Sequence, residues 1–202
     1  MKPIIIGLTG NIGTGKTTVL RMLAERGAYT IDADAIAHQV MEPGGRAYEA
    51  VVAAFGPEIL NPDGTINRQR LGQIVFADPD RLARLEQIVH PAVIAVINAL
   101  VEQTTAPVVV IEAIKLLEAG MAVTLCDQVW VVTSPVEQQI ERLMAERGMT
   151  REAAMARMAS QSPQSFKISQ ADVVLDNSGT FADLERQVEA AWQRLGVAAP
   201  AR

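Results

Sequence analysis

Gly10-Asn11-Ile12-Gly13-Thr14-Gly15-Lys16-Thr17 fits the pattern Gly-x-x-x-x-Gly-Lys-[Ser/Thr] without a mismatch. Its glycines let the backbone curl until successive N–H groups point inward at an anion, and Lys16 adds a compact charge for β- and γ-phosphate oxygens. The Thr17 hydroxyl suits Mg²⁺, and a helix starting here turns its positive dipole end toward the same anion. Upstream, Pro3–Ile6 reads as a strand. Downstream, Thr17–Arg26 carries Val19, Met22 and Leu23 on one helical face and stops at Gly27, a C-cap residue. Strand, glycine loop and helix in this order make the stretch a nucleoside triphosphate site. Its expected nucleotide contacts are Asn11, Ile12, Gly13, Thr14, Gly15, Lys16, Thr17 and Thr18, with Thr17 also the metal ligand.

Working outward, four further β-branched runs follow: Ala28–Ile31, Val108–Ile111, Val129–Val132 and Val173–Leu175. They are near-continuous rather than alternating, as in parallel strands covered on both faces. Helical patterns lie between them, at Gly45–Phe55, Arg81–His90 and Pro135–Arg147. The second should end at His90, because Pro91 disfavours helical geometry in the residue before it. The alternation predicts an α/β fold: a parallel five-stranded sheet flanked by helices, with right-handed crossovers. About 75 residues without a strand separate the second and third runs, far more than one crossover needs. They are expected to form a helical, substrate-binding insertion over 35–105. The sheet core would take 1–34, 106–134 and 168–195, a lid 135–167, and a frayed tail 196–202.

Ligands in open α/β sheets sit at the carboxyl ends of the strands. Asp32 and Asp34 follow the second run and Glu112 ends the third. A carboxylate there can take a proton from an attacking hydroxyl; an Asp can equally cap the following helix, a reading that suits Asp32 better than Asp34. The segment Arg142–Lys167 holds Arg142, Arg147, Arg151, Arg157 and Lys167. Arg142 and Arg157 fall opposite the apolar stripes of their helices, so both should project into solvent or toward a ligand. This is the pattern of a lid that closes cations over a transferring phosphoryl group. Trp130 and Trp192 read as packing residues and Cys126 as a small buried hydrophobe.

Composition narrows the classes further. The 202 residues carry 18 Lys+Arg against 23 Asp+Glu, a formal charge of −5, which argues against a protein that coats nucleic acid or an anionic membrane. Hydrophobic residues make up 49% and charged residues 20%, as in ordinary globular chains. A single cysteine allows neither an internal disulfide nor a cysteine-built zinc site. The apolar stretch Ala92–Val101 is half of what a spanning helix needs, and the N-terminus lacks a signal-peptide core; a cytoplasmic protein is expected. No Asn-Lys-x-Asp guanine signature is present. A small-molecule kinase fits these features, a nucleotide-binding regulator without transfer being the alternative from another class.

In order along the chain stand Gly7-Leu8-Thr9 with the loop, Ile31-Asp32-Ala33-Asp34-Ala35-Ile36-Ala37-His38, Phe55-Gly56, Val75-Phe76 and Leu85-Glu86-Gln87-Ile88-Val89-His90-Pro91. Gln139-Ile140-Glu141-Arg142, Arg157-Met158-Ala159-Ser160-Gln161 and Asp176-Asn177-Ser178-Gly179 complete the set. The set, spread over about 4–190, resembles the dephospho-coenzyme A kinases, a phosphate-loop family of the nucleoside-monophosphate-kinase-like group. The resemblance implies that ATP, with Mg²⁺, phosphorylates the ribose 3′-hydroxyl of dephospho-coenzyme A. It makes Asp34 the base, places His90 at the acceptor, brings Arg142 to the ATP phosphates and puts Asn177 near the adenine. The family's usual Asp-x-Pro-Leu-Leu-Phe-Glu element appears here as Glu112-Ala113-Ile114-Lys115-Leu116-Leu117-Glu118, and an Arg common after the His-Pro element is Ile94. Glu112 keeps a carboxylate with longer reach, and Lys115 is the substitute cation expected at the acceptor.

Overall fold

The computed structural model describes residues 2–114, 116–117 and 123–197. Lys115, Glu118 and 198–202 lie outside the described residues, so the expectation for Lys115 and most of the tail is not addressed by it. Two compact units result, Met1–Ile31 with Thr104–Arg202, and Asp32–Gln103.

All five strand runs form strands: β1 Ile4–Thr9, β2 Tyr29–Asp32, β3 Val108–Glu112, β4 Gln128–Thr133 and β5 Val173–Asp176. They make a parallel sheet in the order β2-β3-β1-β4-β5, with β1 paired to β3 and β4, and β4 to β5. Side chains two apart on a strand share a face. Ile6 and Leu8, Val108 and Val110, and Trp130 and Val132 therefore face one way, where α1 (Lys16–Glu25) and α9 (Phe181–Arg194) cover them. Val19, Met22 and Leu23 of α1 and Leu184, Val188, Ala191 and Trp192 of α9 complete that core. Both tryptophans are packing residues, and the Trp130 indole N–H is satisfied by Gln128 Oε1 at 2.9 Å. Ile5, Val109, Ile111 and Val131 are buried on the opposite face, which explains the unbroken apolar runs. Val197, in the stretch expected to fray, packs against the α1–α9 core.

The chain leaves β1 for β2 on one side of it and later adds β4 on the other, so a crevice opens at the carboxyl end of β1. The phosphate loop lies there. The register pairs Leu8 with Glu112, two residues before Gly10. Three helices follow β4: α6 Val136–Arg147, α7 Arg151–Ala159 and α8 Gln164–Ser169.

The second unit is helical: α2 Ala33–Gln39, α3 Tyr48–Phe55, α4 Arg68–Phe76 and α5 Pro79–Gln103, with one 3-10 turn at Pro57–Ile59. One expectation fails here. Instead of ending at His90, α5 runs 25 residues with Pro91 inside it. An internal proline removes a backbone hydrogen bond and costs about 3 kcal/mol. Against this, Val89, Ala92, Val93 and Ile97 keep one helical stripe running across the proline, buried where α5 meets α2, α3 and α4. Burial of that stripe at roughly 1.5–3 kcal/mol per large apolar side chain outweighs the lost bond. Joined to its amphipathic first half, the Ala92–Val101 stretch becomes a helix long and apolar enough to cross a membrane by length and composition alone.

Candidate active site

Inside the loop the glycines are indispensable at two points. Gly13 has φ +78°, and a Cβ there would lie 2.8 Å from the carbonyl oxygen of Gln139. Gly15 has φ +95°, and its Cβ would run into Asn177 Nδ2. L-residues avoid such φ values, so bare backbone approaches α6 and the β5–α9 loop as no side chain could.

Four carbonyls of the loop, those of Gly10, Asn11, Gly13 and Thr14, are held by side-chain donors. Lys16 Nζ donates to Gly10 O at 3.0 Å and to Asn11 O at 3.4 Å. Thr14 Oγ1 donates to Asn11 O at 2.8 Å. Arg142 Nη1 donates to Gly13 O at 3.1 Å and Thr14 O at 3.3 Å, and Asn177 Nδ2 donates to Thr14 O at 2.8 Å. With those carbonyls tied, loop N–H groups other than those of Ile12 and Thr14, which donate to Gln161 Oε1 and Asn11 O, can turn toward a phosphate, as in an anion-binding nest. Gly15 O accepts from Thr18 and Val19 N–H, so the loop passes into the first turn of α1 without a break.

Lys16 is 8% exposed. Burying an ammonium group is costly unless it is paired and hydrogen-bonded. Its two carbonyl acceptors are joined by Glu112 Oε1 at 4.0 Å, brought close by the β1–β3 register. Thr17, the next residue, is exposed in the first turn of α1.

Of the two directions open to Arg142, solvent or a ligand, its side chain takes the one toward the loop: it is half-buried and also donates to Ser134 Oγ, Gln138 Oε1 and Asn177 O at 3.0–3.3 Å. Five acceptors surrounding one fork of N–H donors account for its inward course. The other basic residues of 142–167 go elsewhere. Arg151 forms an exposed two-pronged pair with Glu137, at 2.6 and 2.7 Å, and holds that carboxyl below its usual range. Lys167 is fully buried, its Nζ donating to Ile114 O at 2.9 Å. Arg147 and Arg157 are exposed. One continuous cationic surface is thus not formed.

Lys16, Glu112, Arg142 and Asn177 are gathered in the sheet unit; Asp34 and His90 belong to the helical unit. Asp32 caps α2, accepting from Ala35 N–H at 2.8 Å, and Asp34 occupies the first turn of the same helix, half-buried. His90 is half-buried in the middle of α5. Ser134, Gln138, Gln139 and Gln161 were not marked as site residues by their types, yet all four touch the loop or its braces. The signal for Gln139 and Gln161 lay in the family-like blocks Gln139–Arg142 and Arg157–Gln161; Ser134 and Gln138 carried none.

Comparison with known proteins supplies the rest. A family model described as dephospho-CoA kinase matches residues 4–183. A dephospho-CoA kinase of Streptomyces avermitilis is 47% identical over 190 residues, 94% of this chain and 93% of its own. A crystal structure from Thermus thermophilus superposes with a TM-score of 0.85 at 37% identity, covering 96% of this chain and 99% of that one. A dephospho-CoA kinase from Campylobacter jejuni does so with a TM-score of 0.65 at 28% identity, covering 95% and 96%.

Proposed function

The chain belongs to the dephospho-CoA kinase family, and from that membership we infer that it transfers the γ-phosphate of ATP to the ribose 3′-hydroxyl of dephospho-coenzyme A, giving coenzyme A. The observation that carries this reading is the phosphate loop with its carbonyls held by side-chain donors, in a chain that matches the family along nearly its whole length.

We assign Lys16 and the loop over Asn11–Thr18 to the ATP phosphates, the Ile12 amide excepted because Gln161 engages it, and Asn177 to the side of the loop where the base lies. Asp34 takes the proton of the 3′-hydroxyl as its oxygen bonds to the γ-phosphorus, and the bond to the β–γ bridging oxygen breaks with ADP as leaving group. Arg142 supports the charge developing on the transferred group through the loop it braces. His90, Glu112 and Lys115 are assigned to the acceptor. The exposed Thr17 hydroxyl fits Mg²⁺, which keeps water and phosphate oxygens as most of its ligands and needs few from protein. When bound, the ion neutralises charge on the β- and γ-oxygens. The helical stretch 35–105 would be the acceptor-binding part and 135–167 the lid. Small molecules are the expected partners, rather than nucleic acid or membrane, in a cytoplasmic setting that accords with the acidic composition.

The test is ATP consumption by the purified protein against a panel of acceptors. Stimulation by dephospho-coenzyme A and not by AMP, shikimate or gluconate is the expected result. Turnover with another acceptor, or ATP binding without acceptor-dependent turnover, would replace the reading by another metabolite kinase or by a regulator.

A further inference from the structure

We propose that Gln161 is a positioning residue for ATP: the turn between α7 and α8 grips the outer side of the phosphate loop and holds it in its anion-binding form. The proposal rests on the kinase reading above. Gln161 Oε1 accepts from the Ile12 N–H at 2.9 Å, and Ser162 O accepts from Asn11 Nδ2 at 3.2 Å. The Ile12 side chain, 3% exposed, inserts into a cluster with Ile140, Leu143 and Ala154, against which Met149 and Met158 pack. Both the N–H and the side chain of residue 12 are therefore used away from the phosphate, by the helices that follow β4.

This grip matters because of where it acts. Ile12 stands between Gly10 and Gly13, both at positive φ, and glycine backbone does not resist rotation. The carbonyl ties from Lys16, Arg142 and Asn177 fix residues 10, 11, 13 and 14. Gln161 fixes the remaining peptide group of the curl. A cleft of about 450 Å³ adjoins the contact, lined by Gln161, Asn11, Gln139, Met155 and Met158 among others. Asn11 Oδ1 and Gln139 Oε1 are buried on it without a hydrogen-bond partner among the described residues. An Ile12 N–H released from Gln161 has empty space beside it and other oxygens to turn toward. The loop then leaves its phosphate-binding form, and binding ATP must restore it.

Two variants separate this role from a merely structural one. Gln161→Met keeps the side-chain volume and removes the acceptor; Gln161→Glu keeps an acceptor oxygen. Calorimetric ATP affinity, KM for each substrate and thermal unfolding are measured on the full chain. Expected for Gln161→Met is roughly tenfold weaker ATP binding, the scale of one buried N–H left unpaired, with the acceptor KM within about twofold of the parent. Gln161→Glu should recover ATP affinity to within about threefold. Unchanged ATP affinity in Gln161→Met, equal loss for both substrates, or no recovery in Gln161→Glu would overturn the proposal. ATP calorimetry needs no acceptor, so a parent protein inactive on dephospho-coenzyme A would sink the kinase reading without deciding this one.

Discussion

Lys16 shows how one residue type acquires its role from its neighbours. An ammonium group that donates to two loop carbonyls and faces a carboxylate is kept at the loop rather than lost to solvent, where the proposed role needs it. Asp32 and Asp34 divide two tasks by a shift of two positions: the first caps α2, and the second is left in its opening turn. Asp34→Asn keeps shape and removes the base, so turnover should fall at least ~100-fold with ATP affinity nearly unchanged; steady-state kinetics with calorimetry reads both. Turnover within tenfold of the parent would remove Asp34 from that role. Cys126 is a contrasting case, a thiol that the proposed mechanism does not use. Burial, helped by Asp127, pushes it up to about 12. At pH 8 only about one molecule in ten thousand would be thiolate, so iodoacetamide should alkylate Cys126 far more slowly in the folded protein than in urea. Because the folded value exceeds the ordinary 9.0, the thiol's contribution to stability is whole below pH 9 and fades as pH rises toward 12.

Among elements, α5 is where local rule and tertiary packing disagree. Its proline obeys steric expectation only in the bond it forfeits; the apolar stripe on both sides carries the helix through. Pro91→Ala should restore a donor to the Gln87 carbonyl and raise stability by about 1–3 kcal/mol, a melting increase of several degrees. No rise, or a fall, would mean that the proline ring itself packs in a way alanine cannot replace. The helices after β4 make the complementary point. Arg142, Arg151 and Lys167 are alike in charge, but one braces the loop, one pairs at the surface with Glu137 and one is buried under Ile114 O. Charge along a sequence says where cations are available; only packing says which of them reach the site.

For the molecule as a whole, strand order places the loop at the carboxyl end of the central strand, with β3 and β4 on either side. ATP should therefore stabilise the sheet unit by mass action. At a hundredfold excess over Kd the gain is about 2.7 kcal/mol, a melting shift of about 5–10 °C, and Lys16→Met should abolish most of it. A shift that survives in that variant would move the nucleotide away from the loop. All five strands, the phosphate loop, the helical stretch after β2 and the packing roles of both tryptophans were legible in order and spacing. Periodicity and glycine placement are local properties, and local sterics enforce them. Illegible were the loop carbonyls that Arg142 engages, the contact of Gln161 with Ile12 and the passage of α5 through Pro91. Order and spacing in the chain settled which residues could bind a phosphate, and Lys16 and Thr14 hold the loop from within it. Only the folded arrangement settled that Arg142, Gln161 and Asn177 hold it too, because those contacts join residues more than a hundred positions apart, and no local pattern encodes such a pairing.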